Sequence, residues 1–317
     1  MSPTRALHIF VLLLFSALFA QAQKQTATNA SSNAETALRF AQTGKCGEAV
    51  PALKSALQNV RGKDLKRKVA LAGVRCGMLA NQPNAAMDFL RVLNRDFPDD
   101  PEVLYVTTHT YSDLSTRAAQ QLALKTPNSP QAHELNAESL EMQGKWDLAE
   151  KEYQTILQQN PRAPGIHFRL GRLLLSKPNP PPTVADDAKK EFQQELEIDP
   201  NNAGAEYVLG ELARQAQQWD EAVQHFSQAA KLDAGFGDAF LGLGSTLISQ
   251  KKFADAITPL EKAVKLEPQN PAAHYNLATA YVRTGRKQDA DKEFEVHRAM
   301  MQKTAGREQQ PPANPQQ

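Results

Sequence analysis

Residues of the same kind recur thirty-four positions apart in the last third of the chain. Leu209, Leu243 and Leu277 fall in register, as do Gly210, Gly244 and Ala278, then Ala222, Ala256 and Ala290, then Phe226, Leu260 and Phe294. A period of this length is the mark of a repeat architecture, so it constrains the fold more than any composition figure. Within each period the apolar residues sit at i, i+3, i+4 and i+7, as in Ala256, Leu260, Ala263 and Val264, and a Pro- or Gly-containing turn closes it. That pattern predicts two amphipathic helices per repeat. One such pair cannot bury its own apolar face, so the repeats must stack on one another.

Carried backwards at the same phase, the repeats tile 30–304. Five well-formed repeats occupy 130–163, 164–202, 203–236, 237–270 and 271–304, the second of them with five extra residues. Three sparser ones occupy 30–63, 67–100 and 101–129, the last being five residues short. The Leu-Gly pair, the aromatic residues, the intervening Ala and the closing Pro resemble the tetratricopeptide repeat family. The resemblance implies an all-α, right-handed superhelical solenoid of about eight helix-turn-helix repeats with one concave and one convex face. Gly or Ala at the helix crossing would allow close approach, with the bulky residue four positions after the Ala filling the space beside it.

The N-terminus reads as an address. Residues 1–22 carry one charge, Arg5, then the apolar run Ala6–Ala20, then Ala20-Gln21-Ala22, the small-residue pattern of a signal peptidase site. Cleavage is expected after Ala22. Fifteen helical residues span about 22 Å, short of a hydrocarbon core of roughly 30 Å, and His8 interrupts the run. Residues 23–29 are read as a linker and 305–317, rich in Gln and Pro, as a disordered tail. No stable membrane insertion is expected after cleavage. The chain is thus read as exported, periplasmic or secreted.

Export gives the two cysteines a meaning. Cys46 and Cys76 lie in adjacent repeats whose helices should pack together, and they are the only thiols. They are read as a disulfide, with two buried free thiols as the alternative. The stretch 176–183, SKPNPPPT, is read as an exposed loop between the helices of repeat 164–202, because proline cannot continue a helix. A recognition element for a partner is its other reading.

Chemistry is hard to find. Motifs of zinc hydrolases, serine hydrolases, phosphate loops and dinucleotide sites are missing from the sequence, so no catalytic residue, metal or cofactor is assigned and the chain is read as non-enzymatic. His133, His167 and His274 occupy one repeat position and read as packing residues rather than a metal ladder. Lys and Arg number 36 against 35 Asp and Glu, which supplies no global attraction for nucleic acid.

In the family the first helix of each repeat lines the concave face. The resemblance therefore places Arg75, Tyr105, His109, Glu134, Glu138, Glu141, Phe168, Arg172, Tyr207, Glu211, Arg214, Tyr275 and Arg283 there as candidate contacts for a protein or peptide. The Lys and Asn four apart that bind chaperone C-terminal carboxylates in some members have no match here. The expected role is a scaffold for protein partners. A structural adaptor in envelope assembly or polysaccharide export is the alternative, and an enzyme with an unrecognised site a remote one.

Overall fold

The structure is a computed structural model, and it describes residues 29–308. The signal segment 1–22 and its cleavage point lie outside the described residues. All regular structure among the described residues is α-helical. The chain divides into two compact units, one ending at Lys125 and the other starting at Thr126.

The first unit contains α1 (29–42), α2 (Cys46–Asn59), α3 (Lys63–Leu79), α4 (Pro83–Asp96) and α5 (Pro101–Lys125). The second contains the pairs α6 (Pro130–Met142) with α7 (Trp146–Gln159), α8 (Ile166–Ser176) with α9 (Val184–Ile198), and α10 (Ala203–Gln215) with α11 (Trp219–Leu232). It ends with α12 (Gly237–Ser249) with α13 (Phe253–Leu266), and α14 (Pro271–Arg283) with α15 (Lys287–Glu308). Each helix packs against the next in its unit, and the successive first helices α10, α12 and α14 also touch.

Three expectations need correction. The stretch 101–129 was expected to fold as a helix-turn-helix, and instead α5 runs unbroken for 25 residues. The physical reason is length, since five missing residues leave no room for a turn between two full helices. The tail was expected from 305, but α15 continues to Glu308, with no proline to interrupt it before Pro311; the rest of the expected tail lies outside the described residues. Residue 29, placed in the linker, is already helical.

Starts and turns follow from local chemistry. Ser129, Asn202 and Asn270 cap α6, α10 and α14 by accepting backbone N–H bonds in the first turn. The N-terminus of α8 lacks such a cap and is served from another helix, where Glu195 of α9, 1% exposed, accepts from the backbone N–H groups of Gly165 and Phe168. Six turns between first and second helices share one geometry. In each, the N–H three residues beyond the end of the first helix reaches back five residues, as in Lys145 to Leu140, Lys252 to Leu247 and Arg286 to Tyr281. The left-handed residue this requires is Gly144 or Gly285 in some repeats but Gln217 or Lys251 in others, at φ 59° and 62°.

Inside a repeat, the crossing helices meet where one has no side chain. A Cβ on Gly210 would stand 2.8 Å from the Phe226 ring and one on Gly244 would stand 2.4 Å from Leu260. In the first unit a Cβ on Gly73 would stand 2.5 Å from the Phe89 ring, and one on Gly77 would meet the backbone N of Ala86 at 2.8 Å. Phe226, Leu260 and Phe89 are almost wholly buried as a result. The same crossing carries a polar pair. His133 Nδ1 lies 2.5 Å from Glu152, His167 Nδ1 2.6 Å from Glu191, and His274 Nδ1 2.5 Å from Glu293, each joining first helix to second. In repeat 203–236 the same two positions hold Glu206 and His225, 2.6 Å apart with the residue types exchanged. Repeat 237–270 has Phe240 and Pro259 there, an apolar solution to the same contact.

Cys46 of α2 and Cys76 of α3 are joined, with Cα atoms 4.7 Å apart and a sequence separation of 30. The bridge sits in the core formed with Ala37, Ala49, Leu53 and Val69.

Three outcomes are expected. Replacing both cysteines with serine lowers the stability of the first unit by about 3–4 kcal/mol in the chain-entropy account, read as an earlier thermal transition under oxidising conditions. Gly77→Ala costs about 1–3 kcal/mol because backbone cannot yield as a flexible side chain can, whereas Lys251→Gly gains about 1 kcal/mol by relieving a left-handed non-glycine residue; urea titration checks both. His274→Glu costs about 1–3 kcal/mol, and adding Glu293→His restores most of it, as the exchanged pair in repeat 203–236 foreshadows.

Candidate functional site

The candidate contacts sit on first helices in both units and are described unit by unit. In the first unit Arg75 of α3 donates to Glu102 of α5 at 2.7 Å. Glu102 also accepts from Arg67, which forms a two-point bond with Asp100 at 2.8 and 2.9 Å. The Arg67 bond holds Asp100 below the usual carboxylate range, with help from the backbone N–H groups of Val103 and Glu102. Arg75 is thus already engaged. Tyr105 and His109, one helical turn apart on α5, bring their rings to 4.2 Å, and Tyr105 is 63% exposed.

Beside Arg75 lies a cavity of roughly 470 Å³ between α1, α3 and the start of α5. Leu38, Ala41, Leu71 and the disulfide form its apolar floor, with Arg67, Lys68 and Glu102 at its rim. Sequence reasoning missed it because its residues come from four helices with no shared motif.

In the second unit the expected acidic stripe is less free than its sequence implies. Glu134 and Glu138 both bind Arg169, at 3.0 and 2.6 Å. Burial alone would lower the Arg169 guanidinium, but the two carboxylates outweigh it and its pKa is raised. Arg169 was not among the candidates, and its place one residue after Phe168 gave the only hint. Glu141 accepts from the Tyr153 hydroxyl at 2.7 Å, and burial together with that bond pushes the phenol up. Glu211 and Arg214 of α10 bind each other, at 3.2 and 2.7 Å.

The aromatics divide into two kinds. Phe168 packs edge-on against Phe192 at 5.6 Å and sits over Gly204, with the Arg172 guanidinium 6.0 Å from its ring centre. Tyr207 packs between Phe226 at 5.7 Å and Phe236 at 4.9 Å. Its hydroxyl is pushed up to about 12 by burial, then by Glu211 and Asp238. Those two rings serve packing between helices. Tyr275 is different, since it rests on Phe294 and His297 but stays 51% exposed. Arg283 lies 5.6 Å from the centre of the Phe253 ring.

Asp238 lies near Glu267 and Glu211, and burial followed by those two charges raises its carboxyl. The Pro-rich loop is anchored at its root, where Lys177 binds Asp147 at 2.7 Å and Glu150 at 2.5 Å. Each histidine of the ladder has a carboxylate partner on its own second helix, which the sequence reading did not foresee. No group of three or more His, Cys, Asp or Glu among the described residues is arranged to hold a metal ion. No described helix is long and apolar enough to cross a membrane.

Comparison with known proteins agrees with this architecture. The profile described as "Tetratricopeptide repeat" matches residues 115–164, 135–181 and 185–239, and one described as "TPR repeat" matches 244–285, together more than half of the chain. Small glutamine-rich tetratricopeptide repeat-containing protein 2 of Mycosarcoma maydis is 28% identical over 89 residues, 28% of this chain and 25% of that protein. The chain therefore spans about a quarter of that relative's length. Among solved structures, a double mutant of MamA from strain RS-1 is 17% identical with a TM-score of 0.50, covering 55% of this chain and 96% of that one. YrrB, described as a TPR protein with an unusual peptide-binding site, is 16% identical with a TM-score of 0.49, covering 58% of this chain and 92% of that one. At such identities the MamA likeness speaks for the fold alone. The family profiles, the helix pairs and the small-to-large crossings agree, and the chain belongs to the tetratricopeptide repeat family.

Proposed function

We propose that this chain is an exported, non-enzymatic scaffold that binds protein or peptide partners on the first-helix face of its repeats. The observation that carries the reading is the pair Tyr105 and Tyr275. They hold the same repeat position on two first helices and remain 63% and 51% exposed, each resting against a neighbouring ring. A tyrosine held in place by packing on one side offers a large contact area at little further entropic cost, which suits it to an anchor for an apolar side chain.

The charges nearby support a polypeptide ligand over a highly charged one. Arg75 in the first unit and Glu134, Glu138 and Glu211 in the second are each paired within their own unit, so the first helices of each unit present mixed and largely balanced charge. Such a surface sets register and orientation more than it attracts at long range. Phe168 and Tyr207 drop from the contact set, and Arg172 stays in it through its place above Phe168. Export rests on the segment 1–22 together with the Cys46–Cys76 bridge, a combination that fits an oxidising compartment.

Crosslinking the oxidised protein in its native cells, followed by mass spectrometry, should recover a partner whose crosslinks fall on first-helix residues. With that partner in hand, Tyr105→Ala and Tyr275→Ala should each weaken binding about tenfold while circular dichroism stays unchanged. Unaltered affinity in the double variant with intact helicity would remove this face from the function.

A further inference from the structure

Helix α5 is a repeat from which the turn has been deleted. Aligned from their leading prolines, Pro101 and Pro271, α5 follows the first helix α14 as far as residue 113. Aligned from the closing Pro127 and Pro268, residues 112–125 follow the second helix α13. The two alignments meet at 112–113, so the five residues lacking in 101–129 are those of the turn. Both helices of the repeat are present, fused into one.

Fusion leaves half a repeat uncovered. One face of α5 packs on α3 and α4 through buried Val103 and Thr110 and a bond from Thr107 Oγ1 to Asn94 at 2.8 Å. A stripe to one side of that face is bare, with Leu104 51% and Tyr111 48% exposed and Thr108 and Ser115 also exposed. The equivalents of Leu104, Thr108 and Tyr111 in repeat 271–304 are His274, Ala278 and Tyr281, all buried beneath α15. The uncovered stripe is thus the surface on which a second helix belongs.

Side-chain sizes identify that helix. Elsewhere the crossing sets a glycine against a bulky residue, Gly210 against Phe226 and Gly244 against Leu260. The equivalent pair in this repeat is Thr108 and Ala119, with the large and small partners exchanged. One turn along, Tyr111 takes the place of Ala213 and Leu247, and the position opposite, Ala222 or Ala256 elsewhere, is Ser115. The second half of α5 therefore complements its first half in volume, as packed cores require. On a straight helix Thr108 and Ala119 stand about 16 Å apart and cannot meet. They meet only between two copies.

We propose that two copies of this chain associate through α5, antiparallel and about a two-fold axis, so that residues 112–125 of each complete the repeat begun by residues 101–111 of the other. Loss of a hinge turn is a recognised route from a closed element to an exchanged one, and the contact is self-complementary, as a two-fold interface demands. The packing of α5 on α3 and α4 within its own unit is kept, as is the bond from Arg117 Nη1 to Asn81 Oδ1 at 3.3 Å.

The oxidised full chain is tested by sedimentation and by cysteine crosslinking. The expected mass is that of a dimer. Thr108→Cys combined with Ala119→Cys should give a covalent dimer on a non-reducing gel, and either substitution alone should not. Inserting Arg-Thr-Gly-Arg-Lys, the sequence of 283–287, between Ser112 and Asp113 restores a turn and should yield a monomer of unchanged helicity. A monomeric wild-type chain overturns the proposal. So does a dimer that survives the insertion, since it would be joined elsewhere, or a dimer in which the two cysteines fail to bond although the variant retains its helical signal.

Discussion

Close approach of two helices at a residue without a side chain is the contact on which the rest of this protein depends. Where Gly210 or Gly244 meets Phe226 or Leu260, the helix axes come near enough for one bulky residue to fill the crossing and be fully buried. Every other feature of the repeat is arranged around that distance. The left-handed turn returns the chain at the separation the crossing needs, even where it must place Gln217 or Lys251 in an unfavourable backbone region. The His–Glu pair ties the same two helices a turn away, and the exchange of its members in repeat 203–236 shows that the contact matters more than which helix supplies which partner.

Such a repeat spends its apolar residues on stacking and leaves few for anything else. That accounts for a first-helix face in which most charged groups find partners inside the protein and only two of four equivalent aromatics remain open. The disulfide adds a covalent constraint to such packing in the first unit, where the bond between Cys46 and Cys76 ties α2 to α3 beside buried Leu53, Val69 and Phe89 and restricts the unfolded chain.

The repeat positions of the candidate residues were legible in the sequence, and their surroundings were not. A first-helix position can be read from a period, so Tyr105, Phe168, Tyr207 and Tyr275 were legible as equivalents. Which of them faces solvent was not, because that depends on residues far away in sequence. Phe236 closes the repeat that Tyr207 opens, Gly204 starts the repeat after that of Phe168, and they decide the burial of Tyr207 and Phe168. Arg169 escaped notice for a related reason, since its carboxylates lie on the preceding repeat, 31 and 35 residues away.

The sequence by itself determined the helical class, the thirty-four-residue spacing, the family and the position of each helix pair that has a turn. Those are local matters, settled by periodicity, capping residues and turn chemistry within one repeat. Tertiary structure alone decided three things: that Glu195 serves the N-terminus of α8, that the acidic stripe is neutralised from a neighbouring helix, and that 101–125 is one helix with a bare face. Each turns on which groups meet across separate helices, or on whether a turn has enough chain to close, and a one-dimensional pattern cannot measure a distance between segments it does not join.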